Sequence, residues 1–149
     1  MVQKDQVKLF NNCQKLPKLR TYCTLTGDTG WRNYLTKPLS FLQRKYMAKL
    51  RLGVLPIRVE TGRYEMPRIE YNHRICKQCA MKEVEDEEHF LLRCTKHSAR
   101  RIALFSEVKA IDFGQWDSKQ KFVYLLNDSS ILKATARYII ESFEARQIP

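Results

Sequence analysis

The stretch Cys76-Lys77-Gln78-Cys79, which runs on through Val84-Glu85-Asp86-Glu87-Glu88-His89-Phe90-Leu91-Leu92-Arg93-Cys94, decides how this chain is read. Two cysteines separated by two residues bring two thiols to one tight knuckle. After nine intervening residues comes His89, and after four more Cys94. Three thiols and an imidazole are the soft and borderline donors that zinc gathers into a closed tetrahedron, which leaves no open position for a reacting water and is therefore structural. The span from Ala80 to Glu88 is long enough to leave the knuckle and return on a helix. Spacing alone leaves one choice open, because Cys94-x-x-His97 supplies a second ligand pair as readily as His89 and Cys94 do. His73, just before the knuckle, reads as a surface residue or a support for a ligand.

Working outward, helical patterns lie on both sides. On the N-terminal side, Pro38 and Gly53 bracket a helix over 39–52. Its Leu42, Tyr46, Met47 and Leu50 share one face, Arg44 and Arg51 flank that face on one side and Lys45 and Lys49 on the other, and Phe41, Ala48 and Leu52 lie on the back. Leu55-Pro56-Ile57-Arg58-Val59-Glu60 alternates apolar and polar and reads as a short extended segment, turning at Thr61-Gly62. On the C-terminal side, Asp86 is a cap for a helix carrying Glu87, Glu88 and His89. Leu104, Phe105, Val108 and Ile111 recur at helical spacing. Asp117 with Gln120 forms a capping pair before Phe122, Val123 and Leu126. Ser129 or Ser130 would cap a last helix whose apolar face is Leu132, Ala136, Ile139, Ile140 and Phe143. The expected fold is mainly α with a small β element at the zinc knuckle. It divides into an irregular N-terminal segment (1–38, with Pro17, the turn-prone run 26–30 and a short helix near Gln3–Cys13), a helix-and-knuckle segment (39–96) and a C-terminal helical segment (97–149) packing on the same core.

A chain of 149 residues with 44% hydrophobic and 11% aromatic residues has enough apolar mass for one compact core. It contains no apolar run of membrane-spanning length, and its first residues have no apolar stretch behind their charges. The expected setting is therefore intracellular (nucleus or cytoplasm) and reducing, where five cysteines read as metal ligands before disulfides. Cys13 and Cys23 read as ordinary thiols. The net charge of +11 is one-sided: residues 1–75 hold 15 Lys or Arg against 5 acids, and residues 76–149 hold 12 against 11. That asymmetry is what a phosphate-backbone binder presents, and also what a surface docking an acidic partner presents.

Two blocks carry a family resemblance. One is Leu50-Arg51-Leu52-Gly53-Val54-Leu55-Pro56-Ile57-Arg58-Val59-Glu60-Thr61-Gly62-Arg63-Tyr64, and the other is the run from Arg74 to Cys94. Together, over roughly residues 40–146, they resemble the C-terminal zinc-binding region of non-LTR (LINE-type) retrotransposon reverse transcriptases. The runs Lys121–Asn127 and Ala136–Phe143 resemble that region's tail. The resemblance implies Cys76, Cys79, His89 and Cys94 as the ligands, a grip on RNA or DNA as the role, and a reverse transcriptase core as a partner. The sequence departs from the parent enzymes in having no Tyr-x-Asp-Asp polymerase signature and no nuclease carboxylate set. The implied object is thus a fragment or a gene made from such a tail, with no catalysis of its own. The run Glu83 to Glu88 reads as a solvated helix start.

For nucleic acid, the candidates around the zinc block are Lys49, Arg51, Arg58, Arg63, Arg68, Arg74 and Lys77. Guanidinium forks and ammonium groups there would take phosphates. Tyr64 and Tyr71 are interleaved to stack on unpaired bases. Competing readings pair Arg58 with Glu60 and half-bury at least one tyrosine. The expected function is a zinc-stabilised nucleic-acid-binding module with no small-molecule substrate. The alternative is a protein-interaction module with zinc as scaffold. An enzyme ranks below both, because no base–nucleophile pair stands out.

Overall fold

Proline at the first position of a helical turn pre-sets φ and forfeits no hydrogen bond. Pro17 opens a 3-10 turn, Pro17–Leu19, that runs into α1 (Arg20–Leu25). The computed structural model describes residues 15–25 and 33–146. Within them follow α2 (Asn33–Thr36), α3 (Phe41–Arg51), α4 (Arg58–Thr61), α5 (Ser98–Ser106), α6 (Ser118–Asn127) and α7 (Leu132–Glu144). The architecture is mainly helical. Among the described residues β structure is limited to a single antiparallel bridge between Ile75 and Val84. No helix there is long and apolar enough to cross a membrane.

Both ends of α3 are fixed by the residues the sequence offers. Ser40 Oγ accepts from the Gln43 N–H at 3.2 Å, and Gln43 Oε1 accepts from the Ser40 N–H at 2.9 Å. At the other end the Val54 N–H returns to Lys49 O at 2.9 Å and the Gly53 N–H to Leu50 O at 3.1 Å, the bond pair of a Schellman stop. Gly53 has φ +67°, and a Cβ there would lie 2.7 Å from the Lys18 carbonyl oxygen. Glycine is thus required twice over, by the left-handed turn and by the chain passing beside it. Asp117 and Gln120 repeat the reciprocal cap at the start of α6, as expected.

α7 is the central helix. It packs on α3, α5 and α6, while α1 packs on α3 and α6. Leu132, Ala136, Ile139 and Phe143 of α7 are buried together with Met47 and Leu50 of α3, Leu104 of α5, and Leu125 and Leu126 of α6. One apolar cluster therefore draws on both sides of the knuckle. Each such aliphatic side chain contributes about 1.5–3 kcal/mol on burial.

Several expectations are corrected. The extended segment 55–60 is instead a helical turn, α4, entered through an extended Ile57. No neighbouring strand supplies ladder bonds, so the Gly62 N–H closes locally onto Arg58 O, and Leu55, Ile57 and Val59 still reach the core. On α3, Leu42 is exposed and Arg51 is buried in its stead. Val108 and Ile111 lie beyond the end of α5, with Ile111 98% exposed. Neither serine caps α7: Ile131 is its N-cap, and Ser130 instead bonds Asp128. Within 1–38 the described residues include α1 and α2, and Arg20–Tyr22, open between extended and helical on sequence, lies in α1. The helix expected near Gln3–Cys13, the run 26–30 and Cys13 lie outside the described residues.

Candidate metal centre

Cys76 is held in place by backbone. Its N–H donates to Glu83 O at 2.8 Å, and the Glu85 N–H donates to Arg74 O at 3.0 Å, one bond on each side of the Ile75–Val84 bridge. Lys82, at φ 56°, takes the left-handed turn between the two arms. The Gln78 N–H points at Cys76 Sγ from 3.4 Å, an arrangement that favours a thiolate.

His89 and Cys94 come together through an unusual turn. Asp86 Oδ1 accepts the His89 N–H at 2.7 Å, so Asp86 caps this helix as expected. The Phe90 N–H still bonds Asp86 O in α fashion, but the Cys94 N–H reaches back five residues to His89 O at 2.7 Å, and His89–Arg93 is a π turn. In an α-helix, residues five apart are offset by about 140° around the axis. The wider turn stacks Cys94 over His89 instead and turns both donors to one side.

The four donors converge. Cys79 Sγ lies 3.4 Å from His89 Nε2, Cys76 Sγ lies 3.9 Å from Cys94 Sγ, and all four ligand atoms fall within 4.8 Å of one another. One ion can touch all of them. The sulfurs are too far apart to be bonded, since a disulfide needs about 2.05 Å. Cys76, His89 and Cys94 are buried and Cys79 is half-buried. Burial pushes the Cys76 and Cys94 thiols above their ordinary range. Burial acts the same way on Cys79, but the Met81 N–H and the neighbouring thiols outweigh it and hold that thiol low.

Residues from the acidic run support the donors. His89 Nδ1 meets Glu83 Oε2 at 3.0 Å, which assigns the Nδ1 proton and leaves Nε2 as a lone pair facing the thiols. That contact, with Arg93 Nε 3.0 Å away on the same oxygen, holds the Glu83 carboxyl below its usual range. Glu85 is buried and central. Its Oε2 accepts the Arg58 N–H at 2.8 Å, and its Oε1 receives Arg146 Nη2 at 2.6 Å and stands 3.4 Å from Cys76 Sγ. Arg146 thus offsets a carboxylate that would otherwise repel a thiolate. Glu87 is buried too, both its oxygens held by Arg20 Nη2 at 2.6 Å. The run is therefore not a solvated helix start: Glu85 and Glu87 alternate inward. No alternation of residue type along Glu83–Glu88 marks these two, since Asp86 and Glu88 are acids as well and Val84 is only half-buried. Their partners, Arg146 and Arg20, lie 61 and 67 residues away in sequence.

His97 is not among the four converging donors. It is fully buried, edge-on to Phe90 at 5.4 Å and to Tyr138 at 6.4 Å, with neither ring nitrogen hydrogen-bonded. Burial, with Arg146, Arg100, Arg101 and Lys96 nearby, lowers its pKa to about 4. It is a neutral core aromatic. His73 is exposed. Tyr138 ties the π turn to α7 by donating to Phe90 O at 2.8 Å.

The expected nucleic-acid contacts divide. Arg51 is buried at the C-terminal end of α6, donating to Leu126 O and, at 2.9 Å, to Asn127 Oδ1, where a cation meets the carbonyl end of the helix dipole. Arg74 is buried as well, and donates to Ile69 O at 2.9 Å and Val59 O at 2.8 Å. A Cβ on Gly62 would lie 2.9 Å from the Arg74 side chain, so that glycine gives the arginine its path. Arg58 pairs with Glu65 rather than Glu60, and Arg63 pairs with Glu60 at 3.1 Å. Tyr64 is exposed, its hydroxyl donating to Glu60 at 3.0 Å and accepting from Lys18 at 2.6 Å. Tyr71 is exposed. Lys49 is half-buried, Arg68 and Lys77 are exposed, and none of the three takes part in an ion pair among the described residues. Cys23 sits half-buried in α1.

No protein-family model matches this chain, and neither does any curated protein or solved structure.

Proposed function

We propose that the chain is a zinc-stabilised module that holds RNA or DNA by its phosphates, of the kind that closes LINE-type reverse transcriptases, with no catalytic step of its own. The fit of zinc rests on the donor geometry. Zinc at about 2.3 Å from sulfur and 2.0–2.1 Å from nitrogen sets tetrahedron edges of about 3.8 Å between sulfurs and about 3.5 Å between sulfur and nitrogen. The Cys76–Cys94 edge is 3.9 Å and the Cys79–His89 edge 3.4 Å, and all four donors lie within 4.8 Å of one another. Cys76, Cys79, Cys94 and His89 Nε2 would hold the ion. Three thiolates around a dication leave one negative charge, which the cations beside the ligands offset.

The observation that carries the binding role is the fate of the cations around this block. Arg68, Lys77, Lys82 and Lys96 are exposed and take part in no ion pair among the described residues. Exposed positive groups on a rigid frame, none locked in an internal ion pair among the described residues, are available to phosphates. Such binding is salt-dependent and reads little sequence. A reverse transcriptase core is a proposed partner on the resemblance alone. The second reading, a protein-interaction module, is favoured by Ile102 and Ile111, which stand 70% and 98% exposed beside the C-terminal helices.

Metal content and binding, measured on one preparation, test the proposal. One zinc per chain, with RNA or DNA affinity that falls steeply with salt, is the expected result. Zinc without measurable nucleic-acid affinity would leave the interaction module standing.

A further inference from the structure

Between Asp28 and Glu60 the chain has no acidic residue and seven Lys or Arg. α3 lies inside this acid-free stretch. At about 100° per residue, Phe41, Arg44, Lys45 and Ala48 fall on one stripe, opposite Met47 and Leu50, which enter the core. Phe41 is 83% exposed, and Arg44 and Lys45 are exposed on either side of it. Neither side-chain cation takes part in an ion pair or hydrogen bond among the described residues. A whole phenyl ring in water, framed one turn on by two unengaged cations, has the chemistry of a base-stacking platform with phosphate contacts. Leu42 and Leu52 are exposed beside the ring, and Arg44 and Lys45 interrupt the apolar surface they form with it. The absence of any acid over the surrounding stretch selects for a polyanion.

We propose that the outward stripe of α3 is a contact for single-stranded nucleic acid, with the Phe41 ring stacked on one unpaired base and Arg44 and Lys45 on the flanking phosphates. The inference rests on the nucleic-acid reading given above and adds to it a second face, separate from the cations around the metal centre, and a preference for unpaired strands.

The test is a salt series of fluorescence anisotropy titrations with an unstructured RNA strand, its DNA counterpart and a duplex of equal length. The proteins are the wild type, Phe41→Ala, and Arg44→Gln with Lys45→Gln. All three side chains point outward, so circular dichroism and metal content should match the wild type in both variants. Phe41→Ala is expected to weaken single-strand binding about fivefold or more, with the salt slope unchanged and the duplex unaffected. The double variant should reduce the single-strand salt slope by about 1.4. If the wild type binds and neither variant changes affinity or slope, this inference fails and the nucleic-acid module survives. Equal losses on duplex and single strand with Phe41→Ala would overturn the stacking assignment. A wild type that binds no nucleic acid sinks the broader reading and this one with it. If Phe41→Ala instead breaks self-association and leaves nucleic-acid affinity intact, the stripe is a contact between copies and the proposal is wrong.

Discussion

The arm from Cys76 to Cys94 and the arm from Lys49 to Arg74 were both read as functional from residue type and spacing, and they fared differently. In the first, all four expected donors meet within 4.8 Å. In the second, Arg51 and Arg74 turn inward onto carbonyl oxygens, Arg58 and Arg63 pair with glutamates, and Lys49 and Arg68 take part in no ion pair among the described residues. The difference lies in what each chemistry demands. Thiols and an imidazole at these spacings serve one purpose only when they converge, so spacing constrains position. A guanidinium serves a phosphate, a carboxylate or a helix's last carbonyls equally well. Charge therefore states the potential of a region but not which side chains face out.

Substitutions can break or sharpen that contrast. The largest effect belongs to the donors. Cys76→Ser or His89→Ala should abolish metal binding and the fold together, because structural zinc sites carry about 10–16 kcal/mol, as much as a whole domain's stability. Far-ultraviolet circular dichroism with metal stoichiometry reads this directly, and a folded, metal-free His89→Ala would undo the assignment.

Next comes the buried carboxylate beside the knuckle. Glu85→Ala leaves Arg146 and the Arg58 N–H without their partner and should cost about 3–5 kcal/mol in urea denaturation. A loss under 1 kcal/mol would mean that Glu85 is replaceable by water.

His97 gives a pH signature. Its ring stays neutral in the fold down to about pH 4, against an ordinary value of 6.5. Between those values the unfolded chain binds more protons. The contribution is thus complete above 6.5 and is lost as pH falls toward 4. Up to about 3 kcal/mol of acid destabilisation should disappear in His97→Phe, which keeps the aromatic contacts. The variant should also retain the metal. Unchanged acid sensitivity, or lost metal, would return His97 to the ligand set.

The smallest effects compare the two kinds of arginine directly. Arg51→Ala should cost about 2–3 kcal/mol of stability through its lost charged hydrogen bonds. Arg68→Ala should stay within about 0.5 kcal/mol and lower only nucleic-acid affinity. If Arg51→Ala left stability untouched while lowering affinity, the two arms would be alike after all.

Legibility followed the same logic. The caps at Asp86 and Asp117, the stop at Gly53 and the buried face of α7 were readable, because each is decided by neighbours within a few residues. The choice between His89 and His97 was not decided by spacing, since only a π turn brings His89 beside Cys94. α4 was misread because alternation marks burial on a strand and on a short turn alike. Arg20 with Glu87 and Arg146 with Glu85 were hidden by the long intervals that separate them.

The π turn has a bearing on length. Between His89 and Cys94 every residue belongs to one hydrogen-bonded ring, so adding one turns Cys94 about 100° further around the axis and away from the other donors. Between Cys79 and Glu83 the chain crosses an exposed corner at Met81 and Lys82, bound at its rim through Cys76 and Glu83. The centre thus has one rigid spacer and one elastic one, and a related chain could add residues at the corner and keep its metal where it could not add one before Cys94.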